Sequence, residues 1–169
     1  MITLEMNYCM ECGGKLHLKY HETEEREIPY CDNCGDFRYP VFNTAISAII
    51  LNEAKDRVYL IKQYGKPTYV LVAGYVNQGE DAEDAVRREI REEMGFTVTA
   101  MRFNRSHYYE RSNTLMLNFT VTVAEDCPHP NWEIDSWSCF TVEEAKNNIR
   151  PHSLAQIFLN GYFSGEYPF

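Results

Sequence analysis

Three glutamates, Glu89, Glu92 and Glu93, stand three and four residues apart in a stretch rich in helix-forming residues. At about 100° per residue they fall within an arc of about 100°, so a helix would carry all three carboxylates on one face. Like charges at that spacing weaken a helix by about 0.2–0.5 kcal/mol per pair. Such a face is therefore either solvated surface or the seat of a cation. Oxygen-only donors at this density suit a hard divalent ion, Mg²⁺ or Mn²⁺. For a short segment of this kind taken alone, an ordinary acidic surface helix is the competing reading.

Cys9, Cys12, Cys31 and Cys34 form two Cys-x-x-Cys pairs separated by 18 residues. Four thiolates at that spacing match a tetrahedral Zn²⁺ site with no open position, which implies a structural role. Gly13 and Gly35 follow the pairs and permit the turn behind each knuckle. A redox pair or unrelated thiols is the alternative. Cys127 and Cys139 have unrelated contexts and are assigned no chemistry. His17, His21, His107, His129 and His152 are scattered and read as surface or packing residues.

The elements that must position these groups fall into two blocks, residues 1–40 and 41–169. In the first, polar and apolar residues alternate over 15–20, the polar stretch 21–25 reads as a turn, and 26–30 reads as a returning strand. This block holds few large apolar residues, so a metal would have to staple it. In the second, the apolar run 45–51 predicts a buried strand, with 58–62 as its hairpin partner and 69–76 as another strand. The spacing predicts a helix over 81–94, with Val86, Ile90 and Met94 as its apolar stripe. Asp81 is its N-cap with Asp84 as a capping-box partner, and Gly95 closes it. Strands are expected at 97–108, 115–124 and 137–140, and helices at 142–149 and 153–160. Strands mixed with a few helices point to an α+β or α/β sandwich.

Bulk properties narrow the classes. Of 169 residues, 44% are hydrophobic, enough for a core and too many for a disordered chain. The net charge of −9 disfavours non-specific nucleic-acid binding, which depends on Lys and Arg neutralising phosphates. An anionic substrate would then need bound metal to offset the acidity. No apolar run is long enough to span a membrane, and residues 1–10 lack the basic and apolar regions of a signal peptide. A cytoplasmic location with no membrane partner is the expectation.

Gly74, Glu80, Arg88, Glu89, Ile90, Glu92, Glu93, Gly95 and Phe96 together spell Gly, five residues, Glu, seven residues, Arg-Glu-apolar-any-Glu-Glu-any-Gly-apolar. This pattern resembles the Nudix box without a departure. The resemblance implies an α+β fold, an α/β/α Nudix sandwich on a mixed sheet, here preceded by a small Cys₄ zinc ribbon. It implies that Glu89, Glu92 and Glu93 bind Mg²⁺ or Mn²⁺ or activate water, with the Gly74 carbonyl as a further ligand. Arg88 would orient a catalytic carboxylate and Glu80 would support the loop. The implied reaction is hydrolysis of a nucleoside diphosphate linked to another group.

A four-cysteine ribbon directly before such a domain is similar to the zinc-ribbon NADH pyrophosphatases. Further likenesses are Cys34-Gly35 followed by Arg38-Tyr39-Pro40-Val41, Ser106 with Leu115-Met116, and the 151–155 segment. Trp132-Glu133-Ile134 with Trp137 adds Glu133 as a metal-binding carboxylate outside the box. The family's Pro-Trp-Pro-Phe-Pro signature is absent between Ser106 and Leu115. Tyr108 and Tyr109 there either stack on a base or nicotinamide or face the core. Arg105 and Arg111 either reach substrate phosphates or lie on the surface. The expected substrate is a dinucleotide such as NADH or a relative such as ADP-ribose, with NAD-capped RNA as a family-implied variant and a homodimer as the family-implied assembly. Two readings compete with this one. The first is a housecleaning pyrophosphatase of nucleoside triphosphates. The second is a non-catalytic nucleotide sensor whose ribbon binds a partner.

Overall fold

The computed structural model describes residues 6–167. The first half of the 1–10 segment read for targeting signals lies outside the described residues. The chain divides into two compact units, one of residues 1–43 with 110–113 and one of 44–109 with 114–169.

The first unit is a three-stranded antiparallel sheet of β1 (His17–His21), β2 (Arg26–Cys31) and β3 (Asp36–Phe37), in that order. The turn at 21–25 and the returning strand stand where the alternation places them. The two-residue β3 is too short to show a period. Among the described residues the core cluster of this unit is Cys9, Leu16 and Cys31, with Met6 against them, and Ile28 is buried as well. So little apolar burial is far short of what a fold of this size needs to stand alone.

The second unit is built on β4 (Asn43–Leu51), β5 (Arg57–Gln63), β6 (Val72–Tyr75), β7 (Val98–Tyr109), β8 (Thr114–Val123) and β9 (Ile134–Thr141). Its helices are α1 (Ala82–Met94), α2 (Val142–Asn148) and α3 (Leu154–Phe163). The sheet order is β7-β8-β4-β5-β9, with β6 added to β4. Ile46, Ala48 and Ile50 of β4 face the core under α1, whereas Ile49 and Leu51 face the core under α2 and α3. A strand covered on both faces reads as a continuous apolar run, which is why 45–51 shows no alternation. The architecture is helix, mixed sheet, helix, as expected.

Two strand boundaries differ from the sequence expectation. The 69–76 stretch is not one strand, because it changes partner midway: Val70 bridges Ile61 of β5, and Val72–Tyr75 then pairs with β4. β9 begins three residues early, at the buried Ile134, its exposed Asp135 and Ser136 giving an edge strand no apolar signature. In α1, Asp81 has the extended backbone of an N-cap, but its side chain makes no capping bond and the expected capping box does not form. The exposed carboxylate stays hydrated, and the Asp81 carbonyl accepts from the N–H groups of Asp84 and Ala85. The capping box forms instead at α2, between Thr141 and Glu144. Gly95 ends α1 in the left-handed region, at φ 69°, its N–H donating to the Arg91 carbonyl.

Candidate active site

Ala85, Val86, Ile90 and Met94 are buried and fix the rotation of α1 on the sheet. That rotation decides where each charged residue points. Arg88 stands at the centre of a dense ion-pair network. Its Nε and Nη2 donate to the two carboxylate oxygens of Glu80 at 2.7 and 2.9 Å. Its Nη1 donates to Glu89 Oε1 at 2.7 Å and to Glu92 Oε2 at 3.3 Å, and Nη2 also reaches the Tyr75 carbonyl at 3.0 Å. Glu80 accepts a further bond from the Asn77 N–H, closing the loop between β6 and α1. The Arg88 guanidinium, then the Asn77 bond, hold the Glu80 carboxyl down at about 2. Two-pronged Arg–carboxylate pairs are geometrically specific, so Arg88 and Glu80 together set the path of the loop.

Gly74, next to last in β6, lies directly against α1. A Cβ there would stand 2.0 Å from both Cδ and Oε1 of Glu89. Only hydrogen fits, so the Glu89 carboxylate lies on the strand backbone itself. Beside it, Glu93 is 4% exposed, and its Oε2 is buried with no hydrogen-bond partner. Burial first, then the charges of Glu89, Glu133 and Glu92, push the Glu93 carboxyl up to about 8. The loop before β9 brings Glu133 there. The His129 N–H donates to the Met94 carbonyl and the Asn131 N–H to the Glu93 carbonyl, so the loop satisfies open carbonyls of the last turn of α1. The Glu133 N–H in turn donates to Asn131 Oδ1. Glu89, Glu92 and Glu133 are thus the charges that act on the buried Glu93. Among the described residues only the four cysteine sulfurs converge within 4.8 Å of one another, while Arg88 bonds Glu89 and Glu92.

The remaining residues singled out in the sequence are placed as follows. Tyr108 and Tyr109 end β7, opposite Leu115 and Thr114, with Tyr108 exposed. Arg105 pairs with Glu166 at 3.3 Å and is not among the partners of the box carboxylates. Arg111 lies in the 3₁₀ turn Glu110–Ser112, which groups with the first unit. Two exposed tyrosines that sequence reasoning did not single out lie near these residues. Tyr75 follows Gly74 and its carbonyl accepts from Arg88, and Tyr64 follows β5 and feels the charges of Glu133, Glu93 and Glu89. Position next to a turn glycine, Gly65 for Tyr64, is the one sequence signal either carried. On the α3 face of the sheet, a cavity of about 290 Å³ is lined by Ser47, Tyr64, Ala73, Met116, Ser153 and Phe158, among others.

In the first unit, the sulfurs of Cys9, Cys12, Cys31 and Cys34 all lie within 4.8 Å of one another. The Gly13 and Gly35 N–H groups donate to the carbonyls of Cys9 and Cys31 at 2.8 Å, and both glycines have positive φ, so the two knuckles are alike. Arg38, which the sequence did not single out as part of the site, donates to Cys9 Sγ at 3.2 Å and pairs with Glu11 and Asp36. That bond draws the Cys9 thiol down to about 6, whereas hydrogen bonding to Cys12 pushes the Cys34 thiol up to about 12. Four converging thiols with one already biased toward thiolate are a chemically consistent donor set for a soft, tetrahedral ion.

Comparison with known proteins agrees with this geometry. The NAD-capped RNA hydrolase NudC of Vibrio atlanticus is 26% identical over 131 residues, covering 78% of this chain and 47% of that protein. The NAD-capped RNA hydrolase NudC of Stutzerimonas stutzeri is 29% identical over 161 residues, covering 93% of this chain and 56% of that protein. The chain thus spans about half the length of these curated relatives. A NUDIX hydrolase structure from Nitrosomonas europaea shares the fold with a TM-score of 0.68 and 20% identity, over 97% of this chain and 96% of that one. The family model for the NUDIX domain matches residues 41–158, well over half of the chain, so the protein belongs to the Nudix family.

Proposed function

We propose that the chain is a divalent-metal-dependent Nudix hydrolase that cuts the pyrophosphate bond of a nucleoside diphosphate linked to another group. A dinucleotide such as NADH, or the related ADP-ribose, is the substrate the sequence likenesses favour. The observation that carries the reading is Glu93, a buried carboxylate with an unpartnered oxygen among three other carboxylates. A folded protein does not retain such a group for stability, because an unpaired buried acid is costly. A hard cation held by Glu89, Glu92, Glu93 and Glu133, with the Gly74 carbonyl, would satisfy it, and the glycine cradle at Gly74 leaves room for nothing but backbone and ligand oxygens. Mg²⁺ or Mn²⁺ bound there would neutralise the phosphate oxygens and lower the pKa of a bound water.

This chain's own residues supply the rest. Arg88, by its bonds to Glu80, Glu89 and Glu92, sets the separation and tilt of two of the carboxylates. Glu80 accepts three hydrogen bonds from Arg88 and Asn77 and acts through them as a positioning residue. Glu93 Oε2 has no competing hydrogen bond, so it is the oxygen left free for the cation. The cavity on the Ala73 face of β6 can receive a planar group. The four cysteines of the first unit hold structural Zn²⁺.

The test is product analysis. The purified chain, with Mg²⁺ or Mn²⁺, is incubated with NADH, NAD⁺, ADP-ribose, nucleoside triphosphates and NAD-capped RNA. AMP with nicotinamide mononucleotide from NADH is expected, and Glu92→Gln should abolish it. Cleavage of triphosphates alone would replace the substrate assignment. No cleavage of any of them would turn the reading to a sensor.

A further inference from the structure

Tyr64 and Gly65 are the two central residues of the turn Gln63–Lys66, closed by the Lys66 N–H on the Gln63 carbonyl. Both have positive φ, 57° and 65°. That is the type I′ pattern, which favours Asn-Gly and tolerates a bulky aromatic at its first central position poorly. The Gly65 N–H donates to Asp135 Oδ2 at 2.7 Å, locking the turn to the start of β9. The register pairs Gln63 with Ile134, so the turn sets Tyr64 beside Glu133. Asn131 ties that same loop to Glu93. The ring is 66% exposed and also forms part of the wall of the 290 Å³ cavity. Partial burial and the charges of Glu133, Glu93 and Glu89 raise its phenol pKa, so it lies within electrostatic reach of those carboxylates. A strained, rigidly held and largely exposed aromatic at the meeting of a cavity and an acidic surface is out of place as a packing residue. Strain of this sort persists where the surroundings enforce it, and it concentrates at functional sites.

We propose that Tyr64 is a substrate-contacting residue that stacks its ring on the planar heteroaromatic group of the nucleotide. The inference rests on the hydrolase reading above and adds to it the residue that recognises the aromatic end. The turn makes the test decisive, because Asn is the better residue for that backbone. Tyr64→Asn should keep or raise the melting temperature, by about 2 °C. It should also raise KM for the preferred nucleotide about 10–100-fold, the range expected for one lost base–aromatic stack. Tyr64→Phe keeps the ring and should match wild type. The same variants are titrated with AMP and with nicotinamide mononucleotide, which reads the contact without turnover. If the wild type cleaves nothing, the hydrolase reading fails, but weaker binding of either mononucleotide by Tyr64→Asn still supports the stack. Unchanged KM and unchanged mononucleotide binding in Tyr64→Asn would overturn it, as would wild-type binding of neither, or a Tyr64→Phe variant as impaired as Tyr64→Asn.

Discussion

Glu93 gives the sharpest quantitative handle. Its folded carboxyl titrates near 8, against 4.5 for the free side chain. The folded pKa is raised, so the folded state holds a proton that the unfolded chain has lost between those values. Stability is therefore greatest below the unfolded pKa and is lost as pH rises through the folded one. At 1.36 kcal/mol per pKa unit, the loss attributable to this group is about 3 kcal/mol at pH 7 and about 5 kcal/mol once it is fully ionised. Glu93→Gln keeps the shape and removes the ionisation. In protein dialysed free of Mg²⁺ and Mn²⁺, the variant should melt about 6–12 °C above wild type at pH 7, and the gap should shrink toward pH 5. Added Mg²⁺ should stabilise wild type and leave Glu93→Gln nearly unmoved, since the ion takes the place of the proton. Thermal unfolding across pH 5–9, with and without Mg²⁺, measures all of this. Parallel pH profiles for the two proteins would refute the account of Glu93 as a buried, unpaired acid.

Other outcomes follow from the same geometry. Gly74→Ala should fold but lose about 100-fold or more in kcat, because the new Cβ displaces the Glu89 carboxylate by more than an ångström; circular dichroism and steady-state kinetics separate the two effects. Arg88→Lys loses the two-pronged bond to Glu80. The Glu80 pKa should rise toward its ordinary value, so the extra stability that wild type loses as pH falls from about 4.5 through 2 should already be missing at neutral pH, as acid titration of folding would show. Cys31→Ser, at a fully buried sulfur, should abolish the one zinc per chain that metal analysis is expected to find and should unfold the first unit.

Much of this chain was legible before folding because its chemistry is written at fixed short spacings. Glutamates at i, i+3 and i+4 can only share a helix face, and two Cys-x-x-Cys pairs can only converge if the strands between them return. The twofold-buried β4 and the Gly95 stop were equally local. Less was legible where a residue's fate depends on a distant partner. Arg105 pairs with Glu166, a partner far along the chain that no local spacing announces. The 69–76 run looked like one strand because a change of partner leaves no mark on periodicity.

The sequence by itself determined which residue types are available for metal and phosphate chemistry and which helix presents them, since local geometry follows from spacing. Only the tertiary structure decided their electrostatic state and their neighbours. Glu92 and Glu93 are adjacent and identical in sequence, yet one is exposed and paired to Arg88 while the other is buried with a bare oxygen. That difference comes from the rotation of α1 on the sheet and from the loop carrying Glu133. The same holds for Tyr64, an unremarkable tyrosine until a locked turn set it near Glu133. Burial and long-range juxtaposition are properties of the packed chain, and they fix how a side chain is charged and what it can touch.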